Sequence, residues 1–155
     1  MYNFDYVRRS SIGDAVQTLG ATVVTSAREI AADDFFTGHF ATAPEDGEII
    51  TSVRFPIPFK AGDANFEQRA SRFALVGVFV AQTMQGVRVA VTGAGENGVF
   101  RLPDLEEALS QSFTGEAVAN ASIPADGLTS DMRGSAEYSA ALIMAMAEEA
   151  VAAAG

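Results

Sequence analysis

The sequence contains no cysteine. This excludes disulfides, thiolate-held zinc, iron–sulfur ligation within the chain and a cysteine nucleophile. Histidine occurs once, at His39 between Gly38 and Phe40. A metal centre and a Ser–His–Asp triad would both need that one side chain. No carboxylates stand at ligand-like spacing from it, and no G-x-S-x-G elbow accompanies it; a solvated loop histidine is the simpler reading. Positive charge is scarce, with 10 basic residues against 20 acidic ones and a net charge of −10. The longest basic run is Arg8-Arg9. Nucleic acid is therefore disfavoured, since phosphate contacts need clustered Lys and Arg, and so is an anionic membrane surface. Long apolar runs are missing too. Phe73–Ala81 and the Ala-rich C-terminus are too short or too charged to span a bilayer, and Met1–Tyr6 lacks the apolar core of a signal peptide. A cytoplasmic location without membrane insertion is expected.

What is present is enough for a core. The chain has 155 residues, 48% of them apolar, which suits a single globular domain. Ser11 is a good N-cap, and Ile12, Ala15, Val16 and Leu19 follow the spacing of one buried helical face, with Gly20 as a stop. Residues 21–25 read as a short strand and Asp33-Asp34-Phe35-Phe36 as a turn with aromatic anchors. Residues 48–55 alternate with period two and predict a half-buried strand stopped by Pro56 and Pro58. Polar, glycine-containing residues 59–72 predict an exposed loop. Residues 73–83 are almost continuously apolar and predict a central strand covered on both faces. After Met84-Gln85-Gly86, residues 87–92 complete an antiparallel hairpin, and the strand at 48–55 is expected in the same sheet.

The period then changes. Pro103 fits the first turn of a helix carrying Leu105, Ala108 and Leu109. A short helix is expected at 116–121 and a loop at 123–134. Ser135 caps a last helix on which Tyr138, Leu142 and Met146 stack, flanked by Ile143 and Ala150. The fold class is α+β: an antiparallel β-sheet of about three strands with packed C-terminal helices, plus a short N-terminal strand and helix.

Gly93-Ala94-Gly95-Glu96-Asn97-Gly98 matches G-x-G-x-x-G. A dinucleotide site needs a helix to start inside such a motif, after a βαβ-type strand. Here Val99–Leu102 intervenes and the preceding strands pair antiparallel, so a plain connecting turn is the better reading. The acidic runs Glu45-Asp46-Gly47-Glu48, Asp104 with Glu106-Glu107, and Glu148-Glu149 read as solvation and helix-dipole matching rather than general acid–base machinery. No self-sufficient active site emerges and no catalytic residue is assigned.

Several segments taken in order resemble one family. Phe4-Asp5-Tyr6 with Ser11–Val16, Asp34-Phe35-Phe36-Thr37-Gly38, Thr42, Gly47-Glu48-Ile49-Ile50, Ala70-Ser71-Arg72-Phe73-Ala74, Thr92-Gly93-Ala94-Gly95 and Gly134-Ser135-Ala136-Glu137-Tyr138 are similar to the flavoprotein (medium) subunit of carbon monoxide dehydrogenase and xanthine dehydrogenase-type molybdenum hydroxylases. The resemblance implies an oxidoreductase component that passes electrons through FAD. Its implied partners are a molybdenum-containing large subunit and an iron–sulfur small subunit. It divides the chain into 1–20, the start of the flavin domain; 21–47, its end; and 48–155, the C-terminal domain. It places Pro44 and Ile49 at backbone contacts with the cofactor, and Arg72 and Phe73 near the flavin ring.

The family's flavin domain is mostly missing. Its two FAD-binding loops each carry a Gly-Gly pair, and this sequence has none. Gly20 leads straight into Ala21-Thr22-Val23-Val24, as after an internal in-frame deletion. Phe73 stands where the family usually has Tyr, Glu67 replaces an expected basic residue while Arg69 and Arg72 stay close, and Ser139 follows Tyr138 where Arg is common. The chain is therefore expected not to retain FAD alone. Two further readings are a cofactor-free subunit-docking domain and an unrelated small α+β enzyme. The stripe of Ile12, Val16 and Leu19, with Phe35, Phe36 and Phe40, adds an expectation of self-association.

Overall fold

Strand alternation and two helical periods become two packed units in the computed structural model, which describes residues 19–38, 41–67, 74–132 and 134–155. The expected helix at 11–19, His39, Phe40, Arg72 and Phe73 lie wholly or almost wholly outside the described residues.

The first unit is small. Strands β1 (Thr22–Thr25), β2 (Glu29–Ala31) and β5 (Ile50–Arg54) form an antiparallel sheet in the order β2-β1-β5. A one-turn helix α1 (Ala32–Phe35) leads into strand β3 (Phe36–Gly38), which pairs with β4 (Ala41–Thr42). Ala21, Val23, Ile30, Ala32 and Phe35 are buried together, with Phe36, Ala43 and Val53 packed against them. Phe35 meets Phe36 edge to face at 5.0 Å between ring centres. The Asp33–Phe36 segment is thus a helical turn running into a strand. Its phenylalanines serve this core and are not part of an exposed patch.

The second unit carries the main core. Strands β6 (Lys60–Glu67), β7 (Ala74–Thr83), β8 (Gly86–Thr92) and β9 (Phe100–Arg101) form an antiparallel sheet in that order. Helices α2 (Pro103–Gln111), α3 (Gly115–Ala119) and α4 (Ala136–Ala153) cover it, α4 across β6 and β7 and α2 on β8. The α+β class, with helices on an antiparallel sheet, follows directly. Val76, Val78 and Val80 of β7 meet Val87, Val89 and Val91 of β8, Leu105, Leu109, Val118 and Ile143 in one cluster. Residues 76–81 are all buried, so β7 is covered on both faces. Thr83 pairs with Gly86 across the two-residue turn Met84-Gln85. Gly86 has φ +120°, a value that side chains disfavour.

Three expectations change. The strand at 50–54 joins β1 through Val23↔Val53, not the sheet of β7; period two identifies a strand but not its neighbour. It is also less buried than its alternation implies, with Ile49, Ile50 and Phe55 exposed. Residues 60–67, expected as loop, form β6, paired with β7 from Lys60↔Gln82 to Glu67↔Ala74. Its inward positions are Gly62 and Ala64, both buried. They are small because α4 crosses there: a Cβ on Gly62 would lie 2.1 Å from the Ala150 carbonyl oxygen. Close approach, not turn formation, explains that glycine. On α4 the Ser135 hydroxyl caps the helix by accepting from the Tyr138 N–H at 3.3 Å, as expected. The buried stripe, however, is Ser139, Ile143, Met146, Ala147, Ala150 and Val151, with Tyr138 exposed. Ile143, Met146 and Ala150 are thus on the inner face as expected, Leu142 packs at its edge and only Tyr138 turns outward; the alanines let the helix sit close to β6.

Two substitutions test this packing by denaturant unfolding. Val78→Asp places an unpaired charge in the sealed core and should cost at least about 3 kcal/mol. Gly62→Ala should cost about 1–3 kcal/mol by pushing α4 off β6. Wild-type stability in the second variant would contradict the close helix–strand contact.

Candidate functional site

Gly93–Gly98 and Thr42–Ile49 are the segments to test against the structure. The glycine run connects β8 to β9, and only then does Pro103 open α2. Gly93 has φ +81°, and a Cβ there would lie 2.5 Å from the Leu75 carbonyl oxygen. Gly95 is equally crowded, by the Gly98 carbonyl and the Phe100 ring. The Glu96 N–H donates to the Gly127 carbonyl at 3.1 Å and the Thr129 N–H to the Ala94 carbonyl at 2.8 Å. This is a connecting turn whose polar backbone is used within the chain, not a phosphate cradle at a helix start.

Thr42–Ile49 is a bracketed turn on the edge of the first sheet. Its fixed point is Glu48, whose side chain is only 4% exposed. The Thr25 hydroxyl donates to Glu48 Oε1 at 2.5 Å, the Glu45 N–H donates to Oε2 at 2.8 Å, and Arg28 Nε donates at 3.2 Å. Arg28 Nη2 also donates to the Ala43 carbonyl at 2.8 Å, so one guanidinium ties both ends of the turn. Thr25, first of all, holds the Glu48 carboxyl down to about 2 from an ordinary 4.5, followed by the Glu45 amide, with Arg28 adding to the effect. Glu48 is therefore a structural carboxylate rather than a solvating one.

Pro44 and Ile49 flank this fixed point. Pro44 is half-buried. Ile49 has its backbone engaged on both sides: the Ser26 N–H donates to its carbonyl at 2.8 Å, and its N–H donates to Ser26 Oγ at 3.2 Å. Its side chain is 67% exposed. The turn thus presents an apolar side chain on a rigid backbone, with little polar main chain left to offer. Arg72 and Phe73 are not described, so the structure brings together two of the four expected site residues. Among the described residues no group of His, Cys, Asp and Glu could hold a metal.

A second carboxylate is likewise structural rather than solvating. Glu106 is buried; its Oε1 accepts from the Val89 N–H and from Arg101 Nε, both at 2.9 Å, and Arg101 Nη2 reaches Oε2 at 2.5 Å. Its position in the first turn of α2 was legible. Its partners on β8 and β9 were not, because nothing local in the sequence pairs residue 106 with 89. A partly open cleft of about 210 Å³ near it lies between Phe100, Leu102, Leu105, Ile123, Pro124 and Leu128, with Arg101, Asp104 and Asp126 at its rim. Its walls are mostly apolar and bring no acid–base pair together.

Glu48 supplies a pH test. Its folded pKa is lowered, so its contribution is complete above about 4.5 and is lost as pH falls through about 2. The melting-temperature difference between wild type and Glu48→Gln should be full near about pH 6 and shrink to nothing toward about pH 2. A difference that does not change with pH would show that Glu48 is not held as an anion.

No protein-family model matches the chain. It is 33% identical over 142 residues to the nicotine 6-hydroxylase medium subunit of Paenarthrobacter nicotinovorans, covering 85% of this chain and 50% of that one. It is 29% identical over 151 residues to the carbon monoxide dehydrogenase medium chain of Afipia carboxidovorans, covering 88% of this chain and 52% of that one. Its fold matches a chain of quinoline 2-oxidoreductase from Pseudomonas putida 86 with a TM-score of 0.74 and 26% identity, over 94% of this chain and 55% of that one. The chain spans about half the length of the relatives it matches. It is a distant homologue of the medium subunits of carbon monoxide dehydrogenase and related hydroxylases.

Proposed function

We propose that the chain is a medium-subunit component of a molybdenum hydroxylase-type oxidoreductase complex, contributing subunit docking while its grip on FAD is lost. The observation that carries this reading is the match of nearly the whole chain, in sequence and fold, to medium subunits along about half of their length. In this reading residues 1–20 and 21–47 are the start and end of a shortened flavin domain. Residues 48–155 are the C-terminal domain, whose first strand, β5, reaches back to pair with β1. The partners are a molybdenum-containing large subunit and an iron–sulfur small subunit, and the complex works in the cytoplasm. Among the described residues no helix is long and apolar enough to cross a membrane.

The relatives' names differ in substrate — nicotine, carbon monoxide, quinoline — while the medium-subunit fold is shared. That supports placing substrate choice in another chain of the complex.

The residues present do not fit a tightly held FAD. Dinucleotide affinity comes largely from amides aimed at the pyrophosphate. No Gly-Gly loop is present in the sequence. The one G-x-G-x-x-G run is a crowded turn whose Glu96 N–H is already donated to Gly127. Pro44 and Ile49 keep an apolar edge; Arg72 and Phe73, which the resemblance places near the flavin ring, lie outside the described residues. Such an edge offers a stacking contact without an anchor.

Titration with FAD, followed by flavin fluorescence, should show no binding tighter than about millimolar, and the purified chain should lack the yellow absorbance of a flavoprotein. Stoichiometric FAD in the purified chain would overturn the loss of cofactor and favour an electron-carrying subunit.

A further inference from the structure

β5 is an edge strand. Among the described residues it pairs only with β1, so its outer side has no strand beside it. Four of its five residues are exposed and Val53 is half-buried. β5 and the chain on both sides of it expose apolar side chains: Ile50 of the strand and Ile49, Phe55, Ile57 and Phe59 beside it are 47%, 67%, 43%, 89% and 70% exposed. At about 200 Å² for a large side chain, these five leave about 600 Å² of apolar surface in one strip. That is at the upper end of what a monomer shows. With the strand's own backbone it approaches the roughly 800 Å² that each partner gives to a stable interface.

Charge decides what covers it. The chain carries −10 overall, and the helical side exposes Glu107, Glu116, Asp126, Glu148 and Glu149. Two copies meeting on that side would repel. The stretch Ile49–Phe59 holds no acid and a single charge, Arg54, which is neutralised within the chain by Glu29 of β2. It is the long apolar exposed stretch where like copies can meet without a charge penalty. An edge strand is also self-complementary, since a two-fold axis beside it pairs it antiparallel with its own copy and removes both open edges at once.

We propose that β5 and the Ile49–Phe59 strip form the contact between two copies of this chain. Antiparallel pairing of β5 with the β5 of a second copy joins the two small sheets into one continuous six-stranded sheet, ordered β2-β1-β5-β5-β1-β2. Pro56 and Pro58 lack the N–H that a longer ladder would need. They stop the pairing after Arg54 and leave Ile57 and Phe59 to pack as side chains across the contact. The inference concerns the first sheet alone and is independent of cofactor loss and of the larger complex.

The test is sedimentation of the full 155-residue chain across about 1–100 µM, a range that brackets ordinary protein contacts, with hydrogen exchange measured at both ends. The expected result is a rise toward twice the 16.2 kDa chain mass, with slower exchange at residues 50–54 only at high concentration. The Ile57→Glu/Phe59→Glu double variant should weaken association by at least about 100-fold. Both side chains are mostly in solvent, so its melting temperature should match wild type. If the variant does not fold, the exchange data on the wild-type chain still decide. A chain that is monomeric throughout overturns the proposal. So does a dimer whose 50–54 amides exchange equally at both concentrations, or one that the double variant leaves intact.

Discussion

Asp33 joins the two units. It sits on the single turn of α1, and its carboxylate takes Arg88 from β8 and Arg101 from β9, the latter at 3.1 Å. Arg101 forks onto Glu106 of α2, and Glu106 also accepts the Val89 N–H. The last link follows from β9 being only two residues long. β8 therefore lacks a strand partner at Val89, and a buried amide needs an acceptor, which a helix carboxylate provides. A carboxylate in that position must be compensated in turn, and the same guanidinium that compensates it reaches Asp33. Gly20 lies over this network, with φ +64° and a Cβ position that would sit 3.1 Å from the Arg88 guanidinium. One chain of charges thus sets where the small sheet stands on the large one, and with it where the Thr42–Ile49 turn stands.

That turn repeats the device on a smaller scale. Arg28 and Thr25, at the β1–β2 corner, hold Glu48, and Glu48 holds the turn. In both places an acid looks like ordinary surface charge until its partners, contributed from elsewhere in the chain, are seen. The acidic excess of the sequence is therefore not uniform in role. Glu48 and Glu106 are mortar, whereas Glu107, Glu116, Glu148 and Glu149 face solvent.

The contrast explains what the sequence could tell. Local signals were read correctly where the physics is local: the Ser135 cap, Pro103 at the start of α2, the Met84-Gln85 hairpin, and the missing helix start that excludes a dinucleotide cradle at Gly93–Gly98. Signals set by a distant neighbour were not legible. Gly62 and Ala64 look like loop residues because the helix that needs them small arrives nearly ninety positions later, at Ala150. β5 has a strand's alternation, but its neighbour β1 is fixed by the Val23↔Val53 register. On α4 the sequence placed Ile143, Met146 and Ala150 on the inner face, and only Tyr138 was misassigned. For the site, the resemblance named Pro44 and Ile49, and the structure places them on one braced turn; of the residues that brace it, Thr25 and Arg28 carried no motif, and Glu48 lay in a matched segment without a role assigned to it.

The proposal to be tested is that this chain, a distant homologue spanning about half the length of its medium-subunit relatives, holds a place in an oxidoreductase complex without a tight hold on flavin. The architecture is a helix-covered sheet with a small braced sheet attached, and the charge chain through Asp33 links the two. The most direct measurement is purification of the full chain under native conditions from its own cells, with mass spectrometry of its companions and molybdenum and iron analysis of the same fraction. The account predicts a large and a small companion polypeptide in fixed ratio, bringing molybdenum and iron with them. A chain recovered without companions, free of both metals, would contradict it.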